Sequence, residues 1–251
     1  MQWINRDKLS REIMAGTFLN LGSPVSVEIA ANLDFDWLLI DFEHGSGTPA
    51  DLQNLLRACR NSSAAPIVRI RSVDPDTVKF VLDSGAAGIM FPWVNSAAEA
   101  EAAVRSMKYP PQGQRGTAGA IRATDFGRNW QSYFEEANSQ TLVVVQIETP
   151  QAVEACEEIA AVDGVDVLFV GPLDLSVNLG HPGDFSPKPF QESLQRVVDA
   201  CEANGTSAGI LSKPGFVDQH KNMGFRLFAL SSDMQAVTSG LKESLQEIRR
   251  V

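Results

Sequence analysis

Short apolar runs alternate with longer segments of helical period along the whole chain, and the two periods predict alternating strands and helices. The strand pattern falls at GTFLNL (16–21), WLLID (37–41), PIVRI (66–70), GIMFPWV (88–94), LVVVQIE (142–148), VLFVG (167–171), SAGIL (207–211) and RLFAL (226–230). Ser23-Pro24, Thr48-Pro49, Asp74-Pro75 and Thr149-Pro150 each put a capping side chain before a proline at the first helical position. Gly85, Gly164 and Gly205 stand where helices should close ahead of the next strand.

Eight β/α units in 251 residues predict an α/β fold, a (β/α)8 TIM barrel with its active site at the C-terminal ends of the strands. The alternative is an open doubly wound sheet. That fold would usually carry a Gly-rich nucleotide turn after its first strand, and GTFLNLGSP (16–24) has no such fingerprint. No linker or compositional break divides the chain, so residues 1–251 are expected to form a single barrel domain. The final segment, MQAVTSGLKESLQEIRR (234–250), is amphipathic and packs either on its own barrel or on a neighbour's.

A formal charge of −10 without a basic cluster argues against a nucleic-acid partner. The start of the chain, MQWINRDKLSREIMAG, lacks a signal-peptide apolar core, and no apolar run approaches transmembrane length. Cys59, Cys156 and Cys201 are odd in number and widely spaced, as expected of reduced packing residues. A cytoplasmic protein with no membrane partner fits these features.

Glu148 and Asp174 close two consecutive apolar strands. Consecutive parallel strands joined by a helix end on the same side, so the two carboxylates should converge at one mouth, as a hard divalent cation requires. Ordinary polar capping at strand ends is the competing reading. Gln146 shares the inward parity of Glu148 and extends a polar patch into the same site. Oxygen ligands without a nearby thiol favour Mg2+ or Mn2+ over structural zinc. In IDFEHG (40–45), His44 is a candidate proton shuttle and Asp41 a carboxylate that could orient the imidazole; a hydrogen-bonded loop histidine is the alternative. Arg69 and Arg71 share a face, and an arginine at the mouth suits an anionic oxygen. The alternative there is a structural ion pair, for instance with Asp83.

The excursion YPPQGQRGTAGAIRATDFGRNW (109–130) is long enough to be a lid or a subunit contact at the barrel mouth, carrying Arg115, Arg122 and Arg128. His181 is expected to shape a turn and His220 to sit on a helix surface. Lys213 follows strand seven, where a Schiff-base lysine could stand, although an exposed loop lysine is the plainer reading.

Taken together, WLLIDFEHG, APIVRIR, VLDSGAAGIMFPWV, KYPPQGQRG, VVVQIET and VGPLDLSVNLGHPG resemble the class II, metal-dependent pyruvate aldolases. This is the 2,4-dihydroxyhept-2-ene-1,7-dioate aldolase family, with its 2-keto-3-deoxy-sugar-acid aldolases. The resemblance runs in one order from about Gly16 to Asp233. It implies Glu148 and Asp174 as metal ligands, His44 as the catalytic histidine with Asp41 as its partner, and Arg69 on the pyruvate keto oxygen. Asp83 matches an acidic residue near the site and at the subunit contact. The Gly171-Pro172-Leu173-Asp174 turn matches the segment that receives the pyruvate carboxylate, and Leu211 and Gln146 complete the candidate substrate-binding set. The resemblance also implies hexamers that exchange the last helix. Phe42, Leu173 and Ser231 depart from the family pattern, which has smaller residues there, and put the usual substrate preference in doubt.

The implied activity is reversible aldol cleavage of a 4-hydroxy-2-oxo acid to pyruvate and an aldehyde through a metal-stabilised enolate. Mg2+ or Mn2+ comes first among the ions, with Co2+ and Zn2+ as further candidates. The rival readings are an acyl-CoA lyase of the citrate-lyase-like barrels, a class I aldolase using Lys213, and a non-catalytic scaffold.

Overall fold

The structure, a computed structural model, describes residues 2–9 and 11–250. Eight strands, β1 (Met14–Leu19), β2 (Trp37–Asp41), β3 (Ala65–Arg69), β4 (Gly88–Phe91), β5 (Leu142–Ile147), β6 (Val167–Val170), β7 (Ser207–Leu211) and β8 (Leu227–Ser232), close into a barrel in sequence order. Every neighbouring pair is parallel, and β8 returns to β1. The expected (β/α)8 architecture is therefore present.

The strands are buried on both faces, which is why their sequences read as nearly continuous apolar runs. One parity, including Phe18, Trp37, Leu39, Ile67, Met90, Val144 and Phe169, forms the barrel interior. The other, including Leu38, Ile40, Val68, Ile89, Val145 and Leu168, packs against the helices. The Trp37 ring meets Phe18 and Phe169 edge-on at centroid distances of 6.4 and 6.1 Å. Gly16 makes room for it: a Cβ there would lie 2.1 Å from the indole. Ile4 and Leu9, ahead of β1, join the interior cluster and close the N-terminal end.

Local chemistry starts and stops the helices as the sequence suggests. Asp74 accepts from Thr77 N at 2.8 Å and Thr149 from Ala152 N at 3.0 Å, each just before a first-turn proline. Gly85, Gly164 and Gly205 have φ of 99°, 95° and 71°. The three cysteines are buried and unpaired.

Two expectations need correction. β4 ends at Phe91 rather than continuing to residue 94, because Trp93 adopts a left-handed φ of 53°. The excursion after β4 does not lie at the mouth. Helix Ala97–Met107 first carries the chain back to the strands' N-terminal ends, so the segment from Lys108 to Asn129 packs at the bottom of the barrel. There Lys108 Nζ donates to Asn138 O, and Tyr109 N to Asn138 Oδ1 at 2.7 Å.

The last helix, Asp233–Arg249, buries no residue. Met234, Val237, Leu241, Leu245 and Ile248 form an exposed apolar stripe at helical spacing. Its first residue is anchored: Asp233 Oδ1 accepts from Asn20 N at 2.7 Å and Oδ2 from Ser26 Oγ at 2.7 Å. Among the described residues no helix is long and apolar enough to cross a membrane.

Candidate active site

Polar side chains gather where the inward parity of β2, β3 and β5 reaches the C-terminal end of the barrel. Asp41 and Arg69 are register partners on adjacent strands. Arg69 Nε donates to Asp41 Oδ1 at 2.8 Å and Nη2 to Oδ2 at 2.7 Å, with both side chains buried. Asn20, just after β1, donates to the same Asp41 oxygen. The remaining Arg69 nitrogen, Nη1, lies 3.0 Å from Glu43 Oε2 and 3.4 Å from Gln146 Oε1. Gln146 Nε2 in turn donates to Glu148 Oε1 at 2.8 Å. One hydrogen-bonded chain thus runs from Asn20 through Asp41, Arg69 and Gln146 to Glu148.

Burial disfavours the Arg69 charge, but the Asp41 hydrogen bond and charge, followed by Glu43 and Glu148, hold its pKa above the ordinary value. Glu148 is pushed the opposite way. Desolvation first, and then the charges of Asp174 and Glu43, raise its carboxyl to about 8. Its Oε2 still accepts from Trp93 N at 3.3 Å. Gly171 leaves room for the carboxylate: a Cβ there would stand 2.2 Å from Glu148 Oε1. Asn178 Nδ2 ties the helix Pro172–Asn178 to the end of β5, donating to Glu148 O at 3.1 Å and, within its own helix, to Asp174 O at 3.0 Å.

Asp174 does not close a strand as expected: β6 ends at Val170, and Asp174 lies in the first turn of the helix Pro172–Asn178, where its charge is felt by both Glu148 and Glu43. The donor set is therefore hard oxygen from one carboxylate at the end of β5 and one in the first helical turn after β6, with Glu43 nearby. Among the described residues no three ionisable ligands already stand together in a cation's geometry. Glu148 and Asp174 would supply two oxygens, with water and substrate completing the shell. The charges of Asp174 and Glu43 both bear on the buried Glu148, and carboxylates gathered in this way suit a divalent cation.

The roles expected around His44 change. Asp41 does not orient the imidazole: both its oxygens are taken by Arg69, and it reaches His44 only through the backbone N–H at 3.4 Å. The carboxylate beside the ring is Glu43, 3.8 Å from Nε2, and the His44 side chain is 67% exposed. Glu43 was missed in the sequence reading. Its pKa is raised by burial, against the pull of Arg69 and His44. The available signal was its two-residue offset from Asp41, which continues the inward parity beyond the strand.

Several residues lie elsewhere. Asp83 ends helix Pro75–Asp83 at the bottom of the barrel, paired with Arg115 at 2.7 Å and not with Arg71 or Arg69. Arg115 is buried there, donating also to Tyr133 Oη at 3.0 Å, so it faces no substrate at its own mouth. Arg122 and Arg128 are likewise on the bottom segment. Arg71 Nε donates to Phe42 O at 2.9 Å. Phe42 itself packs in the layer between strands and helices, away from the interior. Leu211 packs on the interior cluster, Pro172 is buried and Leu173 is exposed. Lys213 Nζ sits 4.0 Å from the centroid of the Phe185 ring, in a cation–π contact. His220 is not a surface residue. It is buried between Phe216 and Phe225, with Nδ1 2.9 Å from Ser212 Oγ.

The family described as HpcH/HpaI aldolase/citrate lyase matches residues 14–239. The chain belongs to that family. Over 241 residues it is 41% identical to a hydroxypyruvate/pyruvate aldolase of Paraburkholderia phytofirmans, covering 93% of this chain and 92% of that one. It is 39% identical over 235 residues to a 2-dehydro-3,6-dideoxy-6-sulfogluconate aldolase of Pseudomonas putida, with coverage of 93% and 92%. A solved HpcH/HpaI aldolase/citrate lyase family protein of Burkholderia cenocepacia superposes with a TM-score of 0.92 at 36% identity, covering 97% and 98% of the two chains. Membership makes this chain a carbon–carbon lyase of the aldolase type.

Proposed function

We propose that this HpcH/HpaI-family protein cleaves a 4-hydroxy-2-oxo acid reversibly to pyruvate, or hydroxypyruvate, and an aldehyde, with a divalent cation held by Glu148 and Asp174. The observation that carries the reading is the unbroken chain from Asp41 through Arg69 and Gln146 to Glu148 at one barrel mouth. A cation bound there, Mg2+ or Mn2+ by its oxygen donors, supplies Lewis-acid polarisation of the 2-oxo acid.

The chain's own residues divide the remaining work. Arg69, locked in plane by Asp41, offers Nη1 to the keto oxygen, whose negative charge grows as the bond to the aldehyde carbon breaks. The amides of Leu173 and Asp174, in the first turn after Pro172, are free of helix partners and receive the substrate carboxylate. His44 takes the proton from the 4-hydroxyl and returns it in the synthetic direction, with Glu43 as the neighbouring carboxylate. Leu211 and the exposed Leu173 side chain border the acceptor side and bear on which aldehyde fits.

The apolar stripe on Asp233–Arg249 supports a homo-oligomer in which this helix covers a neighbouring barrel, a hexamer by family resemblance. Asp83 lies at the far end of its own barrel, so a mouth it served would belong to another copy. Nothing favours a Schiff base, since Lys213 is engaged by Phe185.

The test is pyruvate and hydroxypyruvate release from a panel of 4-hydroxy-2-oxo acids, with chelator and then with Mg2+ or Mn2+ restored. Activity lost to chelator and recovered with metal is expected. Cleavage that persists in chelator and yields a borohydride-trapped adduct at Lys213 would overturn the assignment. Thioester-dependent turnover would move the site to the acyl-CoA lyases.

A further inference from the structure

A cavity of about 560 Å³ lies not at the mouth but at the opposite end of the barrel, beside Pro66 at the start of β3 and Gly85 ahead of β4. Its lining holds three guanidinium groups, Arg57, Arg60 and Arg122, and three aromatic rings, Trp3, Phe126 and Tyr133. Arg122 is fixed by two backbone carbonyls, donating from Nη1 to Ser84 O at 2.6 Å and from Nη2 to Leu56 O at 3.2 Å. Arg57 is held by neutral oxygens of Asn54 and Gln53. Among the described residues neither Arg57 nor Arg122 pairs with a carboxylate, and Arg60 reaches only Asp125, at 4.0 Å. The other acid in the lining, Glu136, is engaged by Trp3 Nε1 and Ser132 Oγ.

This arrangement is unusual for a chain of net charge −10, in which acids outnumber bases by 31 to 21. Burial and then the charges of Arg57 and Arg60 lower the Arg122 pKa, so the three cations stand together against their repulsion. An oxyanion would relieve that repulsion and match the guanidinium forks, while the rings supply faces for a planar or apolar body. The volume is that of a small-molecule site.

We infer that the bottom of the barrel is a second binding site, for a small anion that presents a carboxylate or phosphate group to Arg57, Arg60 and Arg122. It is separated from the Glu148 site by the filled barrel interior.

Calorimetric titration of the assembled, metal-loaded protein with inorganic phosphate and with succinate, at low ionic strength, tests the assignment. Saturable binding is expected for at least one probe, and which one binds distinguishes a phosphorylated from a carboxylated ligand. Loss of a charge-assisted hydrogen bond weakens binding about tenfold or more, so that drop is expected in Arg122→Ala and in the double variant Arg57→Ala/Arg60→Ala. The double variant changes only exposed side chains, so it keeps the test decisive where Arg122→Ala fails to fold. Binding should survive in Glu148→Gln, which disables the mouth, and in Arg249→Ala, a control for net charge. Absence of saturable binding, affinities unchanged in the double variant, or binding lost in Glu148→Gln would each overturn the assignment.

Discussion

Asp41 and Arg69 face each other in register on β2 and β3 and share two hydrogen bonds of 2.8 and 2.7 Å, buried where the barrel interior meets the mouth. The pair fixes the guanidinium plane and so aims Nη1 at Glu43 and Gln146. Removing one partner of a buried pair leaves an uncompensated charge, at a cost of about 3–5 kcal/mol. Asp41→Ala should lose roughly that much stability in chemical denaturation. Arg69→Lys keeps the charge but not the fork, and its kcat should fall about 10²–10³-fold, as for loss of one oxyanion donor. An Asp41→Ala protein as stable as wild type would return Asp41 to the imidazole.

Glu148 makes metal binding a proton-linked event. With its carboxyl at about 8 in the metal-free protein, it holds a proton at neutral pH and must release it to become a ligand. Metal addition near pH 7 should therefore release close to one proton, falling toward none about a unit above that pKa, and affinity should weaken as pH drops below 8. A carboxyl whose folded pKa is raised favours the fold at low pH, and that contribution is lost as pH climbs from about 4.5 to about 8. Glu148→Gln should flatten that decline while abolishing metal binding. Calorimetry in two buffers of different ionisation enthalpy measures the proton, and unchanged heats would remove the linkage.

Glu43 and His44 can be separated by their pH profiles. His44→Ala removes the proton carrier and should lower kcat by about 10²–10⁴-fold at all pH values. Burial raises the Glu43 pKa, so its charge beside Arg69 disappears at a higher pH than for an ordinary carboxylate. The acid limb of kcat/KM should accordingly sit above the usual carboxylate range in wild type and vanish in Glu43→Gln. An acid limb unchanged by that substitution would detach Glu43 from the chemistry.

Local signals made most of this architecture legible. Strand period, proline-first caps and left-handed glycines each depend on a few adjacent residues, and all eight strands fall where the apolar runs are. Glu148, Gln146 and Arg69 were readable because inward parity on buried strands carries straight to the mouth. What failed depended on distant partners. Asp41 lies close to His44 in sequence, yet its stronger partner is the arginine opposite it on the next strand. The residue 109–130 excursion was assigned to the mouth by its length, although a helix precedes it and reverses the end of the barrel at which it emerges. His220 looked exposed on a polar helix, while its spacing from Phe216 already suggested stacking on that ring.

His220 gives a stability test remote from the site. Burial lowers its pKa to about 4, against roughly 6.5 in an unfolded chain. The unfolded state then binds more protons between these values, so the fold loses stability as pH falls from about 6.5 toward 4 and keeps it above 6.5. The full shift corresponds to about 3 kcal/mol, and solvent screening reduces this to about 1–2 kcal/mol. His220→Gln should lessen the fall in denaturation midpoint between pH 7 and 5. A wild-type midpoint constant across that window would contradict the burial argument.

Trp93 links strain to the ligand carboxylate. Its φ of 53° is unfavourable for a bulky side chain, yet that turn presents its N–H to Glu148 Oε2 at 3.3 Å. The turn is held from the other side by Asn95, which donates to Trp93 O at 2.9 Å and accepts from Thr149 Oγ1. Glycine adopts this conformation without strain, so Trp93→Gly should stay within about 1 kcal/mol of wild-type stability and retain metal affinity. A β-branched residue cannot, and Trp93→Val should lose about 1–3 kcal/mol together with affinity for the cation, because relaxing the turn withdraws the N–H from Glu148. Denaturation and metal titration of both variants decide the point. Equal stability and equal affinity in the two would mean that the left-handed turn does not position the carboxylate, and that Gln146 alone holds it in place.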